Sequence, residues 1–346
     1  MTDERQMLVQ TLDQVLSTHC GPQVVEDAEG GWSPDVWRVL EETGLIGVGV
    51  PDGVGGAGGE LEDAIAMAQS LARHAAPVPW SETAMLAGWL SARTGLSWTD
   101  EPATVSPPDG TDVRYAGGVL GGTLARVPWA SCASRVLVLA RDDDGGHHLA
   151  LVDPAACTVA PAVNVAGEPR DDVTLDGVTP QEVVDIDPAV VAKVRERGAL
   201  VRTAQMVGAQ GRVLDLTVEY ATTREQFGRP IGSFQAVRQQ VAILAGEAAV
   251  AAAGLHGAVD AVVAGDGALQ VAMAKVRASQ ASTRMGAIAH QVHGALGFTQ
   301  EHRLQHFTRR MWAWRDEFGS QGAWEVHLGE RFVEQGAGAL WPSLTT

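Results

Sequence analysis

The sequence predicts an α+β chain in three parts. These are an N-terminal helical domain over residues 1–100, a small, reduced central β-domain over 101–187 and a C-terminal four-helix bundle over 188–346. Three observations predict it. Residues 206–223 and 236–264 are long apolar segments at helical spacing. The connector between them is short enough to join neighbouring antiparallel helices of a bundle. Residues 104–185, in contrast, are rich in Val, Thr, Gly and Asp, with short alternating runs.

A chain of 346 residues can hold two or three domains and a large core. Hydrophobic residues make up 45% and charged ones 19%, the balance of a globular chain rather than a disordered one. The net charge of −17, with no compensating basic stripe, argues against a nucleic-acid partner but leaves room for a phosphate-bearing ligand at a local basic site. Cys20, Cys132 and Cys157 lie far apart, so neither a disulfide framework nor a zinc knuckle is expected. Reduced thiols in the cytoplasm are the default. The acidic, polar N-terminus predicts no signal peptide. Gly, Gln, Glu and His interrupt the longest apolar runs, so no membrane span is expected.

Residues 4–18 carry Met7, Leu8, Leu12, Val15 and Leu16 as a helical stripe. A second helix is expected over 32–43, with Ser33 as N-cap and Pro34 at its first position. A loop at 52–59 leads to a third helix over 60–74. The proline-bearing stretch 76–80 breaks the chain, and Ser81 can cap a helix running to Arg93. The glycine-rich run 53–59 invites a phosphate-loop reading. It lacks a Gly-Lys-Ser/Thr ending and follows only a short apolar run, so a flexible helix connector fits it better.

Residues 135–140 and 148–152 read as strands joined by the turn Asp142-Asp143-Asp144-Gly145-Gly146. Residues 173–175 and 182–184 are further candidate strands. The acidic triplet has no further carboxylates at calcium-loop spacing. His147 and His148 are adjacent, so on a strand they point to opposite faces and cannot hold one metal together. His290 and His293 share a helix face, but no third ligand stands at a supporting spacing. No metal site is expected.

The connector reads Arg224-Glu225-Gln226-Phe227-Gly228-Arg229-Pro230-Ile231-Gly232-Ser233-Phe234-Gln235. Gly228 and Pro230 stop one helix and force an extended turn. Arg224 brings five donors suited to phosphate oxygens, with Phe227 and Phe234 as apolar anchors. Taken alone, this is also a helix hairpin with a capping arginine. A long helix over 267–290 leads into Gln291-Val292-His293-Gly294-Ala295-Leu296-Gly297-Phe298. Taken alone, that block is a helix C-cap. Trp312, Trp314 and Trp324 read as packing.

Together the two blocks resemble the Arg-Glu-x-Phe-Gly…Phe-Gln and Gln-x-x-Gly-Gly-x-Gly-[Phe/Tyr] signatures of the acyl-CoA dehydrogenase family, with Ala295 replacing the second glycine. The Gly-Leu-x-Gly-x-x-x-Pro-x-x-x-Gly-Gly pattern beginning at Gly44 is similar to that family's N-terminal helical domain. The resemblance implies an oxidoreductase that desaturates an acyl-CoA thioester, with hydride passing to FAD and electrons to an electron-transferring flavoprotein. Fatty-acid or steroid side-chain metabolism is the implied setting. FAD contacts are implied at Arg224, Phe227, Phe234, Gln235, Gln291, Gly294, Ala295 and Ser320. In the family the arginine and phenylalanine touch an FAD bound mainly by the neighbouring subunit, so a homo- or hetero-oligomer is implied. A Thr-Glu-Pro-x-x-Gly-Ser-Asp loop and a Trp-bearing strand of the β-domain hold the flavin in that family. Glu101-Pro102 is the nearest echo, and residues 103–110 do not continue it.

The implied reaction needs a carboxylate near the α-carbon, in a dry pocket that raises its pKa. The family's Tyr-Glu-Gly-Thr motif falls near Gly319. Aligning the glycines puts Phe318 at the glutamate position, with Glu317 one residue off and Asp316 two. The family's alternative base position lies on the helix entered near Gly198, where this chain reads Gly198-Ala199-Leu200, with Glu196 a little earlier. Two expectations follow. Glu317 serves as base on a shifted backbone, or the chain is the non-catalytic partner of a heteromeric dehydrogenase. Such α2β2 enzymes occur among actinobacterial acyl-CoA dehydrogenases that act on bulky acyl-CoAs. The second expectation accounts for more, because the missing features all belong to the half-site each subunit builds around its own flavin. A flavin-free helical scaffold leaves the Arg224 and Gln291 blocks unexplained.

Overall fold

The computed structural model describes residues 2–109, 111–299, 302–336, 338 and 341–342. Helix α1 (Asp3–His19) starts at Thr2, whose hydroxyl accepts the Arg5 N–H, and it buries Leu12 and Leu16. Next come α2 (Pro22–Asp27) and α3 (Pro34–Glu42). The Ser33 hydroxyl caps α3 by accepting from Val36 N–H, with Pro34 in the first turn, as the sequence predicts. Glu60 and Asp63 cap each other's backbone at the start of α4 (Leu61–Arg73).

Two local expectations fail here. The glycine run before α4 is not a flexible connector: a Cβ on Gly56 would come within 2.1 Å of the Val50 carbonyl oxygen, so the backbone is tightly packed. Ser81 caps nothing. The chain is already helical at Trp80, and Ser81–Gly88 forms a π-helical stretch that runs into α5 (Trp89–Thr94). All eight residues of that stretch are buried.

The middle segment is larger than a reduced β-domain. It forms one eight-stranded sheet of β1 (Ala103–Val105), β2 (Thr111–Ala116), β3 (Val119–Pro128), β4 (Arg135–Arg141), β5 (His147–Val152), β6 (Thr158–Ala160), β7 (Arg170–Val178) and β8 (Glu182–Ile186). The spatial order is β6-β7-β3-β2-β4-β5-β8, and β1 lies parallel to β4. The β4–β5 hairpin closes on the predicted turn, with Val136 opposite Val152. Side chains alternate across the sheet. Val136, Val138 and Ala150 face a core of the sheet's own, while Leu137, Leu139, Leu149 and Leu151 join the helical core.

The C-terminal helices are α6 (Pro188–Thr223), α7 (Gln235–Ala264), α8 (Ala268–His293), α9 (Leu304–Asp316) and α10 (Gln321–Gln335). Asp187 caps α6 through the Ala189 N–H. Helix α6 packs on α4 as well as on α7, α8 and α9, and so carries both helical domains. Between α6 and α7, β9 (Glu225–Gln226) and β10 (Arg229–Pro230) form a hairpin around Phe227 and Gly228, at φ 53° and 77°. Against the sequence expectation, α7 is long and apolar enough to cross a membrane, because its Gly, Gln, Glu and His do not break the helix. Only 28% of its apolar window is buried, and it lies along α6 and α8.

Candidate functional site

After α9 the chain turns through Glu317, Phe318 and Gly319 before α10, with φ 52° at Phe318 and 95° at Gly319. A phenylalanine in the left-handed region is uncommon. The turn is held by the Trp324 Nε1, which donates to the Phe318 carbonyl at 3.0 Å.

This turn drives the Glu317 carboxylate, 16% exposed, into the joint between the sheet and the C-terminal helices. Arg170, at the start of β7, donates Nε to Oε1 at 2.8 Å and Nη2 to Oε2 at 3.0 Å. Arg202 of α6 donates Nε to Oε2 at 2.7 Å, and Asn164 Nδ2 donates to Oε1 at 3.1 Å. Burial alone would raise this carboxyl. Arg170 and Arg202 outweigh it and hold the group down at about 2. At that value Glu317 is a weak proton acceptor near neutrality, unlike the raised carboxyl that a general base requires.

The same guanidiniums reach further. Arg202 donates Nη2 to Glu82 Oε1 of the π-helical stretch at 2.6 Å, and both side chains are almost fully buried. Arg170 Nη2 reaches Glu168 Oε2 at 3.1 Å. Glu168 also accepts the Trp314 Nε1 at 3.0 Å and lies 3.1 Å from Arg310 Nε. Glu82, Arg202, Glu317, Arg170, Glu168 and Arg310 thus alternate in sign and balance to zero. Buried charges persist only when paired in this way.

Lys275 of α8 completes the joint. Fully buried, it donates Nζ to the carbonyls of Trp314 at 2.6 Å and Glu317 at 2.9 Å. Burial pulls it down to about 7, with Glu317 opposing. A neutral amine has two N–H bonds, which the two carbonyls satisfy.

The ring of Phe318 lies directly against Gly198 of α6. Arg202, one turn further, sits over the same ring with its Cζ 5.4 Å from the centroid. Phe318, at the position that the resemblance offers for a base, therefore packs on the stretch Gly198-Ala199-Leu200 near which it offers the alternative, and neither place holds a carboxylate. The neighbouring carboxylates are engaged elsewhere: Glu196 accepts from Lys193 at 2.6 Å, and Asp316 pairs with Arg315 at 3.2 Å.

Beside this joint lies a cavity of about 670 Å³ between the sheet and α9, lined in part by Arg126, Asn164, Arg170, Trp312, Glu317 and Phe318. Asp109, Asp172 and Asp316 add to its walls, so four carboxylates face two guanidiniums.

The residues that the resemblance assigns to FAD stand elsewhere. The backbone N–H of Arg224 bonds the Tyr220 carbonyl, while its side chain is exposed and has no ion pair among the described residues. Phe227 is 91% exposed and meets Phe234 edge-on at 6.1 Å. Gln235, Gln291, Gly294 and Ala295 are exposed too. Tyr220 stacks on His293 at 4.6 Å, which places the Arg224 and Gln291 blocks at one end of the helical bundle. Gly294 ends α8 at φ 62° and ψ −144°, with open space where a Cβ would point. Gly297 does not keep space for a ligand: a Cβ there would strike the His293 Cβ at 2.8 Å, so it is a packing glycine. Ser320 caps α10 through the Ala323 N–H, which engages its hydroxyl within its own chain. His290 is stacked between Phe298 and Trp312.

Residues 190–328 match the C-terminal domain of acyl-CoA dehydrogenases, and residues 2–95 match their N-terminal domain. The chain is similar to acyl-CoA dehydrogenase IpdE2 of Mycolicibacterium smegmatis, with 30% identity over 315 residues covering 90% of this chain and 93% of that protein. Its structure is similar to that of the ChsE4-ChsE5 complex from Mycobacterium tuberculosis, with TM-score 0.88 and 26% identity over 97% of this chain and 99% of that one. It is also similar to the Tcur3481-Tcur3483 steroid ACAD, with TM-score 0.86 and 26% identity over 96% of this chain and 98% of that one.

Proposed function

The chain belongs to the acyl-CoA dehydrogenase family, and on that premise we propose that it is the non-catalytic chain of a two-chain dehydrogenase, lending FAD contacts to a partner that carries the base. The observation that carries this reading is the packing of Phe318 on Gly198, which leaves neither expected base position acidic. The clamp on Glu317 supports it, since two guanidiniums would have to leave before that carboxylate could take a proton.

The residues of the Arg224 block fit a cofactor approached from outside the chain. Arg224 has a guanidinium without an ion pair among the described residues, suited to phosphate oxygens. Phe227 presents a free aromatic face, and Gly294 leaves its backbone open. The acidic cavity beside Glu317 suits a dinucleotide's phosphates poorly. When bound, FAD would supply the hydride acceptor for α,β-desaturation of an acyl-CoA, with an electron-transferring flavoprotein as the next acceptor. The partner is a second acyl-CoA dehydrogenase-like chain, docked in part on the outer face of α7, where Val250 and Val263 are more than half exposed. The likeness to a steroid ACAD favours a bulky acyl group.

A second reading keeps Glu317 as the base. It is favoured by one observation, that Glu317 lines the cavity of about 670 Å³. One experiment separates the two. The chain is purified alone, then with a co-expressed dehydrogenase-like partner, and flavin absorbance and assembly mass are measured. The first reading expects flavin only in the pair. About one FAD per chain in the isolated protein, with turnover that Glu317→Gln abolishes while the folded variant keeps its flavin, would establish the second.

A further inference from the structure

A second polar pocket lies away from Glu317, at the seam between the N-terminal helices and the C-terminal bundle. Arg73 at the end of α4, Arg212 on α6 and Arg303 before α9 line an open pocket of about 290 Å³, together with Ser17, His74 and His306. The Arg73 guanidinium lies against Gly211, where a Cβ would come within 2.5 Å of Arg73 Nη1. Arg73 pairs with Asp215 at 2.6 Å. Arg303 stands 3.6 Å from Glu219, too far for a hydrogen bond. Arg212 has no ion pair or side-chain hydrogen bond among the described residues. Burial and then Arg303 lower its pKa, with Asp215 opposing.

Asp215 and Glu219 offset Arg73 and Arg303 from outside the lining, which leaves Arg212 without a pair among the described residues. The pocket's one carboxylate, Asp13, is engaged by the Ser70 hydroxyl and by His74 Nε2, the latter at 3.3 Å. Cys20 in its wall stays a thiol, because burial pushes it up to about 11 despite Arg310. His306 is only 8% exposed, yet its Nε2 has no hydrogen-bond partner among the described residues, its nearest carboxylate being Glu26 Oε1 at 3.5 Å. Half-buried like charges repel, and an oxyanion set between Arg212 and Arg303 would relieve that repulsion through charge-assisted hydrogen bonds.

We propose that this pocket binds a phosphate group, with Arg212 and Arg303 donating to its oxygens. The proposal involves neither the Glu317 joint nor the FAD contacts, so it stands or falls separately from the reading above. The full-length chain is titrated calorimetrically with inorganic phosphate, then with glycerol 3-phosphate, each against sodium chloride of equal ionic strength. Saturable binding is expected, weakened about tenfold or more by Arg212→Gln and by Arg303→Gln. Arg38→Gln, at an exposed arginine outside the pocket, is expected to leave it unchanged. Tighter binding of the ester than of the free ion would identify an esterified ligand, and equal binding a free phosphate. No saturation by about 10 mM, or binding that neither pocket variant weakens, would overturn the proposal.

Discussion

The ring of Phe318 rests on the bare backbone of Gly198, so close that a single methyl group there would come within 2.1 Å of the ring carbon Cδ1. Alanine ordinarily stabilises a helix over glycine by roughly 0.5–1 kcal/mol. Here that gain loses to overpacking. Gly198→Ala is expected to lower stability by a net ~1–2 kcal/mol, and Phe318→Leu in the same background to regain part of the loss. Thermal melts of the two single variants, the double variant and the parent form the cycle that checks this.

Glu317→Gln leaves two buried guanidiniums facing an uncharged amide. The expected cost near neutrality is about 3–5 kcal/mol, read as a fall in the urea midpoint. The pH dependence has a definite sign. The folded carboxyl lies at about 2, below its usual 4.5. Its contribution is therefore complete above about pH 4.5 and is lost as pH falls towards 2. The gap between parent and variant should close over that interval, and a gap that persists unchanged at pH 2–3 would refute the ionic account.

Lys275 behaves in the opposite way. Its folded value of about 7 lies below the usual 10.5, so between these values the unfolded chain binds more protons. Stability then rises with pH, on the order of 1 kcal/mol per unit. Lys275→Met is expected to remove that rise. Urea midpoints at pH 7, 8 and 9 for both proteins test it.

Arg224 makes no ion pair among the described residues, so Arg224→Ala is expected to shift folding stability by less than about 0.5 kcal/mol. In the assembled pair it is expected to reduce retained flavin. Absorbance after gel filtration, set beside a melt of the isolated variant, separates the two effects. Undiminished flavin would remove Arg224 from the cofactor contacts.

The features legible in the sequence are those whose cause lies within a few residues. Ser33 with Pro34 announces α3, the acidic Gly-ended turn announces the β4–β5 hairpin, and the Arg224 block announces the break between α6 and α7. The sheet is larger than predicted because β1 and β6 are short and β3 holds Gly121 and Gly122, which blur the alternation. The Glu317 joint was hidden for a different reason. Its guanidiniums lie 115 and 147 residues away in the chain, and only folding brings them together. A signal was present all the same. Arg202 and Lys275 interrupt apolar helix runs, and charged residues are almost never fully buried without a partner.

The alternating charges from Glu82 to Arg310 tie the first helices, the sheet and the last helices to a single carboxylate. Separating any pair would strand a charge away from water, so the three parts have no low-cost way to breathe independently. Amide exchange should find them opening as one cooperative unit rather than as three foldons. In a two-chain assembly, this chain would be the fixed jaw of the vice, and the motion that admits a large substrate would belong to the jaw opposite.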